Sequence, residues 1–159
     1  MDPLLKLIYQ NAHLAPPQIA KALDLSVEEV QSRIRKDEEE GVIVGYRAIL
    51  NEEKIGVEAV RAVIEVKITP EREGGFDRIA ERISKYSEVH SCYLMSGRYD
   101  LLVIVEGGNL REVASFISEK LATIQGVIST GTHFMLKPYK EQGVLLTQEK
   151  TPDRLAVAP

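Results

Sequence analysis

The chain is poor in cysteine, in long apolar runs and in surplus positive charge. Each shortage excludes a class of protein. Cys92 stands alone, so no internal disulfide can form and a reducing compartment is expected. The opening Met1-Asp2-Pro3-Leu4-Leu5-Lys6 has neither the basic region nor the apolar core of a secretory signal. No apolar run approaches a bilayer-spanning length. A cytoplasmic protein with no membrane partner is the expectation. The formal net charge of −4 offers no electrostatic pull toward nucleic acid or an anionic surface. Catalytic signatures are missing as well. No serine, cysteine or histidine has the spacing of a known nucleophile motif, and no phosphate-cradling glycine loop is present. There is no internal repeat and no low-complexity tract.

What remains is an ordinary globular composition, 44% apolar and 28% charged over 159 residues. That length holds one ordinary domain or two small ones. In the first part, Leu4, Leu5, Leu7, Ile8 and Ala12 recur at helical spacing and predict a first helix. Pro16-Pro17 halts the chain and opens a second, with Ile19, Ala20 and Leu23 on one face. Asp24-Leu25 makes a turn. Ser26 and Glu29 form a capping box for a third helix, which keeps Val30 and Ile34 inward and stops at Gly41. Two short helices around a tight turn predict a helix-turn-helix. Residues 42–50 then read as an extended arm.

Residues 51–58 are polar and turn-like, and read as a linker. Beyond it Val60, Ala62, Ile64, Val66 and Ile68 alternate with polar residues, a strand with one buried face, stopped by Pro70. Phe76, Ile79, Ala80 and Ile83 predict an amphipathic helix. Val89 to Met95 and Tyr99 to Val105 are the next strands. Leu110, Val113, Ala114, Ile117 and Leu121 predict a second helix, and Val127 to Leu136 a fourth strand. The order βαββαβ over residues 59–139 is the ferredoxin-like arrangement, so the whole chain is expected to be α+β. Residues 140–159 read as a tail, with Val144-Leu145-Leu146 a candidate short strand and a loose end from Gln148.

The third strand is apolar on both faces: Leu101, Val103 and Val105 point one way, Leu102 and Ile104 the other. Two helices can cover one face only. A second copy of the chain is the simplest cover for the other, which predicts a homodimer. The turn Ser96-Gly97-Arg98-Tyr99-Asp100 delivers a carboxylate to the mouth of that strand. A carboxylate there is costly unless something binds it. Asp100 therefore reads either as an acceptor for a ligand ammonium or as a cap on backbone N–H groups. Gly97 reads either as a point of close approach or as a position of positive φ. His90 and Cys92 share a strand, while His133 belongs to the strand at the opposite sheet edge, so no shared metal and no cofactor are expected. Cys92 reads as a small core hydrophobe.

Taken in order, Ile19-Ala20, Leu25-Ser26, Val30, Arg33-Ile34-Arg35-Lys36, Gly41-Val42-Ile43, Ser96-Gly97-Arg98-Tyr99-Asp100-Leu101-Leu102 and Gly126-Val127 make a pattern. In their order and spacing the chain, from about Leu4 to Tyr139, resembles the leucine-responsive and asparagine regulator family (Lrp/AsnC) of transcription factors. The resemblance implies an N-terminal helix-turn-helix that binds double-stranded DNA. It also implies a C-terminal domain that dimerises, assembles in some members into octamers, and binds a small amino-acid effector between subunits. On that basis Ser26, Val27, Gln31 and Ser32 are expected near base edges and Arg33, Arg35 and Lys36 mainly on phosphates. Ser96, Gly97, Tyr99 and Asp100 are expected at the effector, joined by Thr130, Thr132 and His133 from the last strand. The chain departs from the family at Asp37, where leucine is usual. In residues 1–50, six basic side chains (Lys6, Lys21, Arg33, Arg35, Lys36, Arg47) face eight acidic ones (Asp2, Asp24, Glu28, Glu29, Asp37, Glu38, Glu39, Glu40). A DNA-free sensor or structural oligomer is therefore the alternative. So is a subunit of the siroheme decarboxylase type, which is similar to this family.

Overall fold

Asp2 starts the first helix by lending a carboxylate oxygen to the N–H groups of Leu4 and Leu5, at 2.9 and 3.4 Å. The computed structural model describes residues 1–69 and 75–146. The chain divides into two units, Met1–Leu50 and Asn51–Pro159.

In the first unit α1 spans Pro3–Gln10. It stops short of Ala12, because Asn11 turns extended and its N–H closes on the Leu7 carbonyl. Proline opens α2 (Pro16–Leu23), where its missing N–H costs nothing. The Gln18 side chain accepts the Ala15 N–H at 2.8 Å. Asp24 takes the left-handed conformation, φ 55°, and makes the turn. Ser26 Oγ accepts the Glu29 N–H at 3.1 Å and starts α3 (Val27–Glu39). The serine half of the expected capping box is thus present here. Gly41, at φ +71°, closes α3 with a Schellman pair. Its N–H reaches the Glu38 carbonyl at 3.1 Å, and that of Val42 the Asp37 carbonyl at 2.8 Å. Leu4, Ile19, Ala20 and Val30 are the buried centre of this unit. The arm leaves Val42, Val44, Tyr46 and Leu50 exposed.

The second unit begins with α4 (Glu52–Ile55), capped by Asn51. The stretch read as a linker therefore carries a short helix, and Glu52 from it pairs with Arg61. Strand β1 (Val60–Ile68) is followed by α5 (Asp77–Ser84), β2 (Val89–Leu94) and β3 (Leu101–Gly107). Helix α6 (Leu110–Ser115) runs into a π-helical turn, Phe116–Leu121, and β4 spans Val127–Phe134. The sheet order is β2-β3-β1-β4, antiparallel throughout, the ferredoxin-like arrangement. Ala62, Ile64, Val66, Leu101, Val103 and Val105 all lie on one face and pack on Ile79, Ile83, Val113, Phe116 and Leu121. Each Val, Leu, Ile or Phe side chain among them contributes about 1.5–3 kcal/mol on burial.

The sequence predicts one continuous helix from Leu110 to Leu121, and the π-turn is the departure. The Ala122 N–H closes on the Ile117 carbonyl, five residues back, at 2.8 Å. Ser118 Oγ donates to the Ala114 carbonyl at 3.0 Å, a back-bond of the kind that bends helices. At the end of the described chain, β5 (Lys140–Glu141) and β6 (Val144–Leu145) form a hairpin. Gln142 and Gly143, both at positive φ, make its two-residue turn. Pro70 and the tail from Gln148 lie outside the described residues. Among the described residues no helix is long and apolar enough to cross a membrane.

Candidate functional site

Helix α3 sorts its side chains by the helical period. Val30 is buried and Ile34 packs against the same core. Gln31, Ser32, Arg35 and Lys36 are exposed. The remaining residues expected at DNA are used by the fold. Ser26 caps the helix, and Val27 packs against the core. Arg33 Nη2 lies 2.7 Å from Asp2 Oδ2. Desolvation raises the pKa of Asp2, but its two backbone bonds and Arg33 outweigh that, and the carboxyl titrates below its ordinary value. Glu28 and Glu29 occupy the first turn of α3, where the helix dipole favours them. The arm is tied to the far end of α3: the Tyr46 hydroxyl donates to Glu38 at 2.9 Å. Burial and that carboxylate push the phenol pKa up.

The second region lies at the mouth of β3. The Asp100 carboxylate accepts the Ile68 N–H at 2.8 Å. Its own N–H donates to the Val66 carbonyl at 3.0 Å, and its carbonyl accepts the Met95 N–H at 2.8 Å. The backbone-capping reading of Asp100 is therefore realised. One carboxylate oxygen makes that bond, and the group remains half-buried. Ser96 and Gly97 are exposed and Tyr99 is half-buried. Gly97 has φ +156° and open space where a Cβ would stand.

Register decides which residues of β4 can join this turn. Thr130 and Thr132 pair with Val66 and Ile64, on the helix-covered face. His133 pairs with Val63, so alternation puts it on the other face. The structure does not bring His133 together with Thr130 and Thr132. It brings His133 instead to Glu65, a residue that sequence reasoning misses. Glu65 stands on central β1, opposite Leu102 on one side and Gly131 on the other. Its carboxylate accepts Arg98 Nη2 at 3.0 and 3.3 Å, and lies 3.5 Å from His133 Nε2. In sequence Glu65 is one of the polar residues, with Arg61 and Lys67, that alternate along β1, and nothing sets it apart. Its partners cannot be read without the register.

His90 lies at a register shift between Val89 and Ser91. Cys92 faces α5, where burial pushes its thiol pKa up.

The ligand-binding domain model of the Lrp/AsnC regulators matches residues 61–145. The chain belongs to the Lrp/AsnC family. It is 43% identical over 157 residues to the HTH-type transcriptional regulator YugG of Bacillus subtilis, spanning 98% of this chain and 95% of that one. The leucine response regulatory protein of Mycobacterium tuberculosis superposes with a TM-score of 0.70 at 25% identity. That match covers 87% of this chain and 92% of the neighbour. A Neisseria meningitidis transcriptional regulator, solved as a complex with L-Met, has the same fold. Its TM-score is 0.69 at 24% identity, over 90% of this chain and 92% of that one. This Lrp/AsnC protein is thus a transcriptional regulator with a helix-turn-helix and a ligand-binding domain.

Proposed function

We propose that this regulator binds double-stranded DNA through α3, as a dimer, and that an amino-acid-like effector bound between subunits alters its assembly or its operator affinity. In this reading residues 1–50 are the reader, and 59–139 bind the effector and oligomerise. The role is regulatory rather than catalytic, and cytoplasmic.

The observation that carries the reading is the charge arrangement at the strand mouth. Arg98, Glu65 and His133 meet on the sheet face away from the helices, and Asp100 belongs to the same turn as Arg98. Opposite charges side by side suit a ligand that itself carries an ammonium and a carboxylate. The neisserial neighbour binds L-Met, and its shared fold supports carrying that ligand class here. Leu102, Ile104 and Val63 are half-buried on the same face, and Tyr93 beside them is exposed. A second copy is the cover we assign to them. Ser96, Gly97, Tyr99, Asp100 and His133 are the effector residues we retain, with Glu65 and Arg98 added. Thr130 and Thr132, on the opposite face, are the weaker candidates.

A thermal-shift screen of the standard amino acids tests the site. At least one should raise the melting temperature, and Asp100→Ala should abolish that rise. A rise that survives the substitution overturns the assignment of Asp100. Light scattering tests the assembly: a monomer at micromolar concentration would overturn the dimer.

A further inference from the structure

Arg33 is committed before any DNA arrives. Its guanidinium is held 2.7 Å from Asp2 Oδ2, from a helix 31 positions away in sequence. The other Asp2 oxygen, Oδ1, accepts the N–H groups of Leu4 and Leu5. One carboxylate therefore caps α1 and grips α3 at once. The two side chains are 39% and 37% exposed, so the pair is partly withdrawn from water. Leu4, two residues after Asp2, and Val30, three before Arg33, are both fully buried in one core cluster. Arg33 follows Val30 by three and precedes Ile34, at the margin of the packed face. Arg35 and Lys36 stand on the exposed side. Moving Arg33 onto a phosphate would strand Asp2 without its cation, which costs more the less water is present.

We infer that Arg33 is a positioning residue: it acts on DNA through Asp2, by fixing how α3 sits against α1, and not by touching phosphate. The residues left to meet the duplex are Gln31, Ser32, Arg35 and Lys36. This rests on the reading of α3 as the DNA reader.

The test uses the full chain and a duplex that the wild-type protein selects from a random-sequence pool. Affinity is measured between about 50 and 200 mM salt, at a temperature where circular dichroism shows every variant folded. Asp2→Asn keeps an oxygen to cap α1 and removes the charge that holds Arg33. Arg33→Gln removes the other partner. The two substitutions change net charge in opposite directions, yet both should weaken binding, by about tenfold, and the double variant should be no weaker than either single one. The slope of log affinity against log salt should stay at the wild-type value in all three.

Tighter binding by Asp2→Asn overturns the inference, because Arg33 would then be a phosphate ligand that Asp2 restrains. So does a salt slope that falls by about one for each Arg33 removed. So does unchanged affinity with a lowered melting temperature, which would make the pair a purely structural brace. A wild-type chain that selects no duplex overturns the DNA reading itself, and this inference with it. That result appears before any variant is made.

Discussion

Asp100 contributes to the fold whatever it binds. Asp100→Ala leaves the Ile68 N–H without its acceptor, at a cost of about 1–3 kcal/mol. Asp100→Asn keeps an oxygen in place and should cost less than half as much. Urea denaturation of the two variants separates them. On α3, if Arg35 and Lys36 meet phosphates as proposed, Arg35→Gln and Lys36→Gln should each lower the salt slope of DNA binding by about two in the dimer, one per subunit. Glu88 sets a pH signature. Lys120 lies 2.5 Å from it and, as its hydrogen-bond donor, is the chief reason its carboxyl titrates below the ordinary 4.5. A lowered folded pKa stabilises above the unfolded value, and that stability is lost as pH falls through the folded one. The melting temperature should therefore drop on acidification below 4.5, and Glu88→Gln should flatten that part of the profile. An unaltered profile in the variant would remove Glu88 from the acid response.

At the scale of elements, the two ends of α3 can be weakened separately. Ser26→Ala removes the oxygen that holds the Glu29 N–H and should cost about 1 kcal/mol. Gly41→Ala forces a Cβ into φ +71° and should cost about 1–2 kcal/mol. The ends share no partner, so the double variant should show the sum in chemical denaturation. These caps are legible in sequence because they are local: a serine before the helix, a glycine after it. Strand β1 is legible because alternation from Val60 to Ile68 needs no knowledge of neighbours. The π-turn at Phe116–Leu121 is not. The apolar spacing of Val113, Ile117 and Leu121 fits an α-helix, and the serine back-bond that accompanies the π-turn has no distinct pattern. The candidate effector site is half legible. The glycine turn and Asp100 announce themselves, as an acid entering an apolar run. Glu65 meets Arg98 from 33 positions away, and that meeting exists only once β1 and β3 are in register. The same long-range register separates His133 from Thr130 and Thr132, which adjacency in sequence groups together.

For the molecule as a whole, the two units are unequal. The first is centred on Leu4, Ile19, Ala20 and Val30. The second buries a continuous sheet face under two helices. Small cores are marginal, so amide hydrogen exchange should find the slowest amides in β1 and β3 and faster exchange in α1–α3. Equal protection in both would show that the units lend each other stability. An N-terminal fragment ending at Leu50 should melt well below the full chain. Such a molecule fails from one end. On warming, the part that recognises a metabolite should outlast the part that addresses the genome, so a heated cell would hold copies that still take up their signal and can no longer deliver it.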